Sequence, residues 1–175
     1  MKNINRICIV GGSGTGKTTL AKNLGKVLNL PILHIDGVHH YDNWKVRDKS
    51  KRDKIIKQTA DESRWIIDGT YSSTLEYRLE RADLVILLDY SSIAQLKGIF
   101  TRLIKNYNKE RPEIPGCKEQ MNWSFLKLVV NYRRKKRPGI IELINRADSN
   151  KVCIFKNRRQ LNKWFKEKFD KKIEL

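Results

Sequence analysis

The chain has 175 residues, enough for a core of several layers, and its 39% apolar content is gathered into short runs. No run is long enough to span a bilayer, and Cys8, Cys117 and Cys153 form no C-x-x-C pair, so helical membrane proteins and cysteine-based zinc or disulfide scaffolds are excluded. Net charge is +18 and uneven: residues 1–90 carry 15 basic and 11 acidic side chains (net +4), residues 91–175 carry 22 and 8 (net +14), which suggests a polyanionic partner, either nucleotide phosphates or nucleic acid.

Met1 to Arg6 runs straight into an apolar stretch, Ile7-Cys8-Ile9-Val10, which reads as a buried strand with no signal peptide before it. A cytoplasmic protein with buried, reduced thiols at Cys8 and Cys153 is expected. After the strand comes Gly11-Gly12-Ser13-Gly14-Thr15-Gly16-Lys17-Thr18, then Leu20, Leu24, Val27 and Leu28 at helical spacing. Strand, glycine loop and helix form the context in which G-x-x-x-x-G-K-[ST] cradles a triphosphate. The glycines let successive backbone N–H groups converge on anionic oxygens, and the helix N-terminus adds its own free donors. The expected phosphate-binding set runs from Gly11 through Gly12, Ser13, Gly14, Thr15, Gly16, Lys17 and Thr18 to Thr19; Lys17 reaches the β- and γ-phosphates and the Thr18 hydroxyl ligates magnesium.

Pro31 to Asp36 reads as a second strand, residues 37–50 as a surface loop, and residues 51–62 as a short amphipathic helix carrying Arg52, Ile55, Ile56 and Thr59. Trp65 to Gly69 is a third strand, Thr74 to Leu79 a short helix, and Asp83 to Asp89 a nearly all-apolar, central fourth strand. Ser91 or Ser92 caps a long helix through Phe100, Leu103 and Ile104. Residues 106–122, with Pro112, Pro115 and Gly116 among Lys and Arg, read as a mobile basic flap or lid. Trp123 to Tyr132 returns to helical spacing and runs into Arg133-Arg134-Lys135-Lys136-Arg137; Ile140 to Arg146 is another helix, Lys151 to Phe155 a fifth strand, and Arg159 to Phe169 a closing helix with Trp164 and Phe165 inward. Alternating strands and helices at this spacing predict a single α/β domain, a parallel sheet covered on both faces, with ligands at the carboxyl ends of its strands.

Asp68 ends an apolar strand, where a carboxylate complements Thr18 around magnesium. Asp36 is placed to orient or deprotonate an acceptor hydroxyl, whereas Asp89 reads as structural, leading into the next helix. His34, His39 and His40 lack metal-type spacing; His39, Tyr41 and Trp44 are expected to touch substrate, and Trp65 and Trp123 to anchor the core. Phosphoryl transfer needs positive charge around the migrating group and a lid that excludes water. Arg102 and Arg111 are the expected lid arginines, with Arg133, Arg134 and Arg137 as further candidates.

These motifs resemble those of the FlaR-related DNA topology modulation proteins, small bacterial P-loop proteins similar to adenylate kinase and shikimate kinase. The carrying segments are residues 11–21, Leu33 to His39, Trp65 to Tyr71, Arg111 to Glu119, and Trp-x-Phe-Leu followed by Tyr-Arg-Arg within 123–134. The resemblance implies a three-layer P-loop fold with a five-stranded parallel sheet in the order 2-3-1-4-5. It places Arg102 at the start of the lid, where nucleotide kinases stack an arginine on adenine, and Lys156-Asn157-Arg158 beside the base. It does not assign the acceptor, because no spacing singles out Arg47, Arg52 or Arg64 as a grip on a second phosphate. Two readings therefore follow: an ATP- and magnesium-dependent kinase acting on a small acceptor, or a DNA-binding NTPase or topology modulator acting through the basic C-terminal half.

Overall fold

Along β1 (Arg6–Gly11) side chains alternate between two apolar layers, and the remaining elements pack onto one or the other. The computed structural model describes residues 4–174. In chain order β1 is followed by α1 (Lys17–Leu28), β2 (Ile32–His34), α2 (Ile35–His39), β3 (His40–Tyr41), β4 (Lys45–Val46), α3 (Lys49–Asp61), β5 (Trp65–Asp68) and α4 (Leu75–Arg81). Then come β6 (Leu84–Leu88), α5 (Ser92–Asn106), β7 (Glu110–Arg111), β8 (Ile114–Lys118), α6 (Trp123–Lys135), α7 (Arg137–Arg146), β9 (Val152–Phe155) and α8 (Arg158–Phe169).

The main sheet is parallel in the order β2-β5-β1-β6-β9, which counted along the chain is the 2-3-1-4-5 expected. Ile7 and Ile9 face α1 and α8 through Leu20, Leu24, Leu161 and Phe165, whereas Cys8 and Val10 face α3, α4 and α7 through Ile56, Leu75 and Ile140. Each large aliphatic side chain so buried contributes about 1.5–3 kcal/mol. A third cluster, Ile99, Leu126 and Val129, joins α5 to α6. Among the described residues no helix is long and apolar enough to cross a membrane.

Several details depart from the expectations. The second strand stops at His34, and Asp36 lies in the short α2; the loop expected over 37–50 contains the β3–β4 ribbon, and α3 begins at Lys49, where the Asp48 carboxylate accepts from the Lys51 N–H. The flap expected to be mobile is an antiparallel ribbon, β7–β8, with Ile114 and Cys117 fully buried; an edge strand tolerates Pro115 because it has no ladder bond to lose there. Trp65 is a core anchor, but Trp123 is 78% exposed, because the α6 face turned to α5 is the one bearing Leu126 and Val129. Cys8 is buried as expected, while Cys153 is half-buried and Cys117 takes the second fully buried position.

Candidate phosphoryl-transfer site

α1 starts without a side-chain cap and without an acidic residue in its first turn, whereas α3, α5, α6 and α8 are capped by Asp48, Ser91, Asn122 and Asn157. The first N–H groups of α1 are therefore available to an anion, at the positive end of the helix dipole. Gly16 enters this helix in the left-handed region (φ 89°), and Gly14 is also left-handed (φ 76°) where a Cβ would stand 2.2 Å from the Gln95 carbonyl oxygen. Internal bonds fix the loop: Thr15 Oγ1 donates to the Gly12 carbonyl at 2.8 Å, and Lys17 Nζ donates to the same oxygen at 2.9 Å.

Thr18 Oγ1 donates to Asp68 Oδ2 at 3.0 Å, because β5 lies beside β1 with Asp68 in register with Ile9. The other Asp68 oxygen pairs with His34 Nδ1 at 2.7 Å across the β2–β5 register, so a buried carboxylate is aimed at the base of the loop. An all-oxygen pair of hydroxyl and carboxylate suits a hard cation such as magnesium. No group of three or more His, Cys, Asp or Glu with metal-binding geometry occurs among the described residues.

Lys17 feels four of the expected residues electrostatically. Its ammonium is pushed below the ordinary lysine range by burial; Asp36 and Asp68 pull it back up, and Arg102 and Arg111 press it further down. Arg102, on α5, and Arg111, on β7, both face Glu119 Oε2, at 3.0 and 3.6 Å. Burial, with the Arg111 charge next, also depresses Arg102. Asp36 accepts a long hydrogen bond of 3.4 Å from the Tyr71 hydroxyl, whose pKa is raised by burial and by the Asp36 charge. His39 stands 4.9 Å from the Tyr71 ring, and burial, with His40 and Arg52, lowers its pKa to about 4.

The β7–β8 ribbon is docked over this side of the sheet. Glu113 at its tip pairs with Lys22 of α1, and the Glu113 carbonyl oxygen would be 2.2 Å from any Cβ on Gly37. Trp44 Nε1 donates to the Lys118 carbonyl at 3.1 Å, the Asn43 N–H donates to the Gly116 carbonyl at 3.0 Å, and Arg111 lies 5.6 Å from the Trp44 ring centre. His39, Trp44 and Arg111 thus border the same space as Asp36. Tyr41 does not join them closely: it is 41% exposed and pairs with Lys45.

Arg133 and Arg137, candidates for covering the triphosphate, are instead bound to Asp89, Arg137 through both Nε (2.6 Å) and Nη2 (2.7 Å), with Lys156 completing the cluster at 2.7 Å. Arg134 is exposed on α6. Several participants take roles that the chain alone does not assign, although residues 65–71 and 111–119 lie in segments that carry the resemblance. Thr70 Oγ1 accepts from the Gly11 N–H at 3.0 Å and donates to its carbonyl at 2.6 Å; a Cβ on Gly98 would stand 2.0 Å from the Gly14 carbonyl oxygen; Gln95, His34, Tyr71 and Glu119 are equally non-local. Surface hollows lined by Lys163, Lys166, Glu167 and Asp170, and by residues of α4 and α7, contain none of the candidate groups.

The model of the ATPase family associated with various cellular activities (AAA) matches residues 7–89, the part holding the glycine loop and Asp68. No curated protein matches the chain. Among solved structures, a gluconokinase from Sinorhizobium meliloti 1021 is similar at TM-score 0.58 and 14% identity, covering 97% of this chain and 92% of that one. A shikimate kinase from Acinetobacter baumannii in complex with shikimate gives 0.56 and 17%, covering 98% and 96%. A shikimate kinase from Bacteroides thetaiotaomicron gives 0.54 and 17%, covering 96% and 99%. The fold is that of kinase-like P-loop NTPases.

Proposed function

We propose that the chain is a kinase that transfers the γ-phosphoryl group of ATP to a small acceptor. The acceptor would lie between α2, the Asp68-Gly69-Thr70-Tyr71 turn and the β7–β8 ribbon. The observation that carries this reading is geometric: the uncapped glycine-loop start of α1, with Thr18 Oγ1 bonded to the buried Asp68 carboxylate at 3.0 Å. Phosphoryl transfer asks little covalent chemistry of a protein; positioning and charge supply most of the acceleration.

In this reading the backbone N–H groups of Gly14 to Thr19 hold the β- and γ-phosphates, and Lys17 neutralises the bridging side. Arg102 and Arg111 meet the charge on the migrating group. Asp36, steadied by Tyr71, orients the acceptor hydroxyl and takes its proton. The docked ribbon excludes water, which would otherwise compete as the acceptor. Thr18 and Asp68 would hold magnesium, which when bound neutralises developing charge on the phosphate oxygens. The kinship to DNA topology modulation proteins and a location in the reducing cytoplasm belong to the same proposal, and three free thiols agree with the latter. A DNA-binding role is less favoured, since Arg133, Arg137 and Lys156 of the basic half are committed to Asp89.

The test is a coupled assay of ADP release across polyols, sugar acids, shikimate-like acids, nucleosides and nucleotides. Acceptor-dependent turnover, lowered at least about 10²-fold by Lys17→Ala, is expected. Turnover that ignores every acceptor and rises with DNA would sink the kinase reading.

A further inference from the structure

Glu119 is a carboxylate carried into the interior, 4% exposed. Its backbone is tied to the base of the ribbon: its N–H donates to the Lys109 carbonyl and its carbonyl accepts from the Asn108 N–H, both at 2.9 Å. With the main chain fixed, the side chain points inward and lies between α5 and β7. Arg102 Nε stands 3.0 Å from Oε2, angled off a true hydrogen bond, and Arg111 Nε stands 3.6 Å from the same oxygen.

Two guanidinium groups brought this close repel each other, and both also press on Lys17. A third cation beside them raises the cost of assembling the cluster before any phosphate arrives. One carboxylate offsets part of that repulsion and leaves a surplus of positive charge for an incoming anion. The way it does so matters: both arginines turn Nε to Glu119, and among the described residues no protein oxygen accepts a hydrogen bond from their Nη nitrogens. The Nη ends are the part of the side chain best shaped to grip phosphate oxygens.

We propose that Glu119 is a positioning residue, which holds Arg102 and Arg111 by their Nε sides so that their Nη ends are presented together to the γ-phosphate. This rests on the kinase reading above. Glu119 touches neither nucleotide nor acceptor; it acts through the arginines. Because its backbone belongs to the ribbon and Arg102 belongs to α5, the same carboxylate makes alignment of the clamp depend on the ribbon being docked.

The role is separable from simple structural support by comparing ATP with ADP, which differ by the group the clamp would hold. Magnesium-ATP and magnesium-ADP are titrated calorimetrically into the wild type, Glu119→Gln, Glu119→Asp and Lys17→Ala proteins, and into an Arg102→Ala/Arg111→Ala double variant with and without Glu119→Gln. Arginine Nε–H resonances of Arg102 and Arg111 are followed in parallel without nucleotide. Glu119→Gln should lower the preference for ATP over ADP about tenfold while ADP affinity holds, and should shift both Nε–H resonances. Glu119→Asp should retain part of the preference, and Glu119→Gln should have no further effect in the double variant.

Equal losses for ATP and ADP, further loss in the double variant, or unmoved Nε–H resonances would overturn the proposal. If Glu119→Gln does not fold, Glu119→Asp carries the comparison through the same ratio and the same resonances. A wild type that prefers ATP while Glu119→Gln keeps that preference removes only the role of Glu119. A wild type that binds neither nucleotide, like Lys17→Ala, removes the kinase reading and this proposal with it.

Discussion

Two buried carboxylates each gather arginines at the carboxyl side of the sheet, and they hold them differently. Asp89 takes Arg137 through Nε and Nη2 at 2.6 and 2.7 Å, and adds Lys156 and Arg133. Glu119 Oε2 stands 3.0 Å from Arg102 Nε and 3.6 Å from Arg111 Nε and makes no hydrogen bond in the fork of either. A guanidinium gripped along its fork is used up as a rivet, whereas one held at its Nε side keeps its terminal nitrogens for another anion. The Asp89 cluster pins α6 and α7 to the end of β6; the Glu119 cluster joins the β7–β8 ribbon to α5.

The largest expected effect tests this contrast directly. Arg111→Ala should lower phosphoryl transfer by about 10²–10³-fold while costing about 1 kcal/mol of stability, since Glu119 keeps Arg102. Arg137→Ala should do the reverse: it breaks the bidentate arm of a buried pair, costs about 3 kcal/mol, lowers Tm by about 10 °C, and leaves turnover per folded molecule within about twofold. Steady-state kinetics beside thermal melts separate the two. If both variants lose activity in proportion to stability, the contrast has no functional meaning.

The glycine loop was legible in the chain because its chemistry is local: one strand, eight residues and a helix start fix the donors, and Ile7 to Val10 already show both faces of the strand. An acid ending an apolar strand was less decisive: Asp68 bonds Thr18 whereas Asp89 binds Arg137, and only the fold separates the two. The partners of Glu119, Thr70, Tyr71 and Gly98 were not legible, although residues 65–71 and 111–119 carry the resemblance, since each acquires its role from a group brought near only by the fold, as Thr70 does from Gly11. Prolines and glycine mark the absence of a helix over residues 106–122 without marking what replaces it; the fold supplies a ribbon anchored by buried Ile114 and Cys117. Trp123 failed for a related reason. Helical spacing shows that a face exists, and the packing of α6 on α5 determines which one. Arg133 and Arg137 were sorted with the lid arginines because charge alone carries no record of its partner.

Acid titration sharpens the Asp89 half of the comparison. Hydrogen bonding by Arg137, with help from Lys156, holds the Asp89 carboxyl down at about 2, against an ordinary value of 3.8. Because the folded value is depressed, the contribution is complete above the unfolded value and disappears as pH falls through the folded one. Between about pH 4 and pH 2 the protein should lose about 2 kcal/mol through this group. Urea midpoints measured over that window should slope less in Asp89→Asn than in the wild type; parallel slopes would mean that the rivet stores nothing electrostatic.

Arg52 supplies the intermediate case, and the smallest expected effect. Its Nε and Nη2 both donate to Asp53 Oδ1, at 2.9 and 2.6 Å, while Nη1 lies 3.2 Å from His39 Nδ1. By the contrast above it is a rivet on the acceptor side, with His39 as a neutral neighbour. Burial first, then His40 and Arg52, holds His39 down at about 4, with Asp36 and Asp53 pulling the other way. The folded protein therefore binds fewer protons than the unfolded chain between about pH 6.5 and 4, and stability falls as pH is lowered through that window. Solvent screening of a half-buried ring keeps the loss to roughly 1–2 kcal/mol. His39→Gln should flatten the slope between those limits and leave the Asp89 step below pH 4 in place. A slope unchanged by the substitution would mean that the surroundings of His39 do not hold it neutral, and Arg52 would then be held by Asp53 and Ser73.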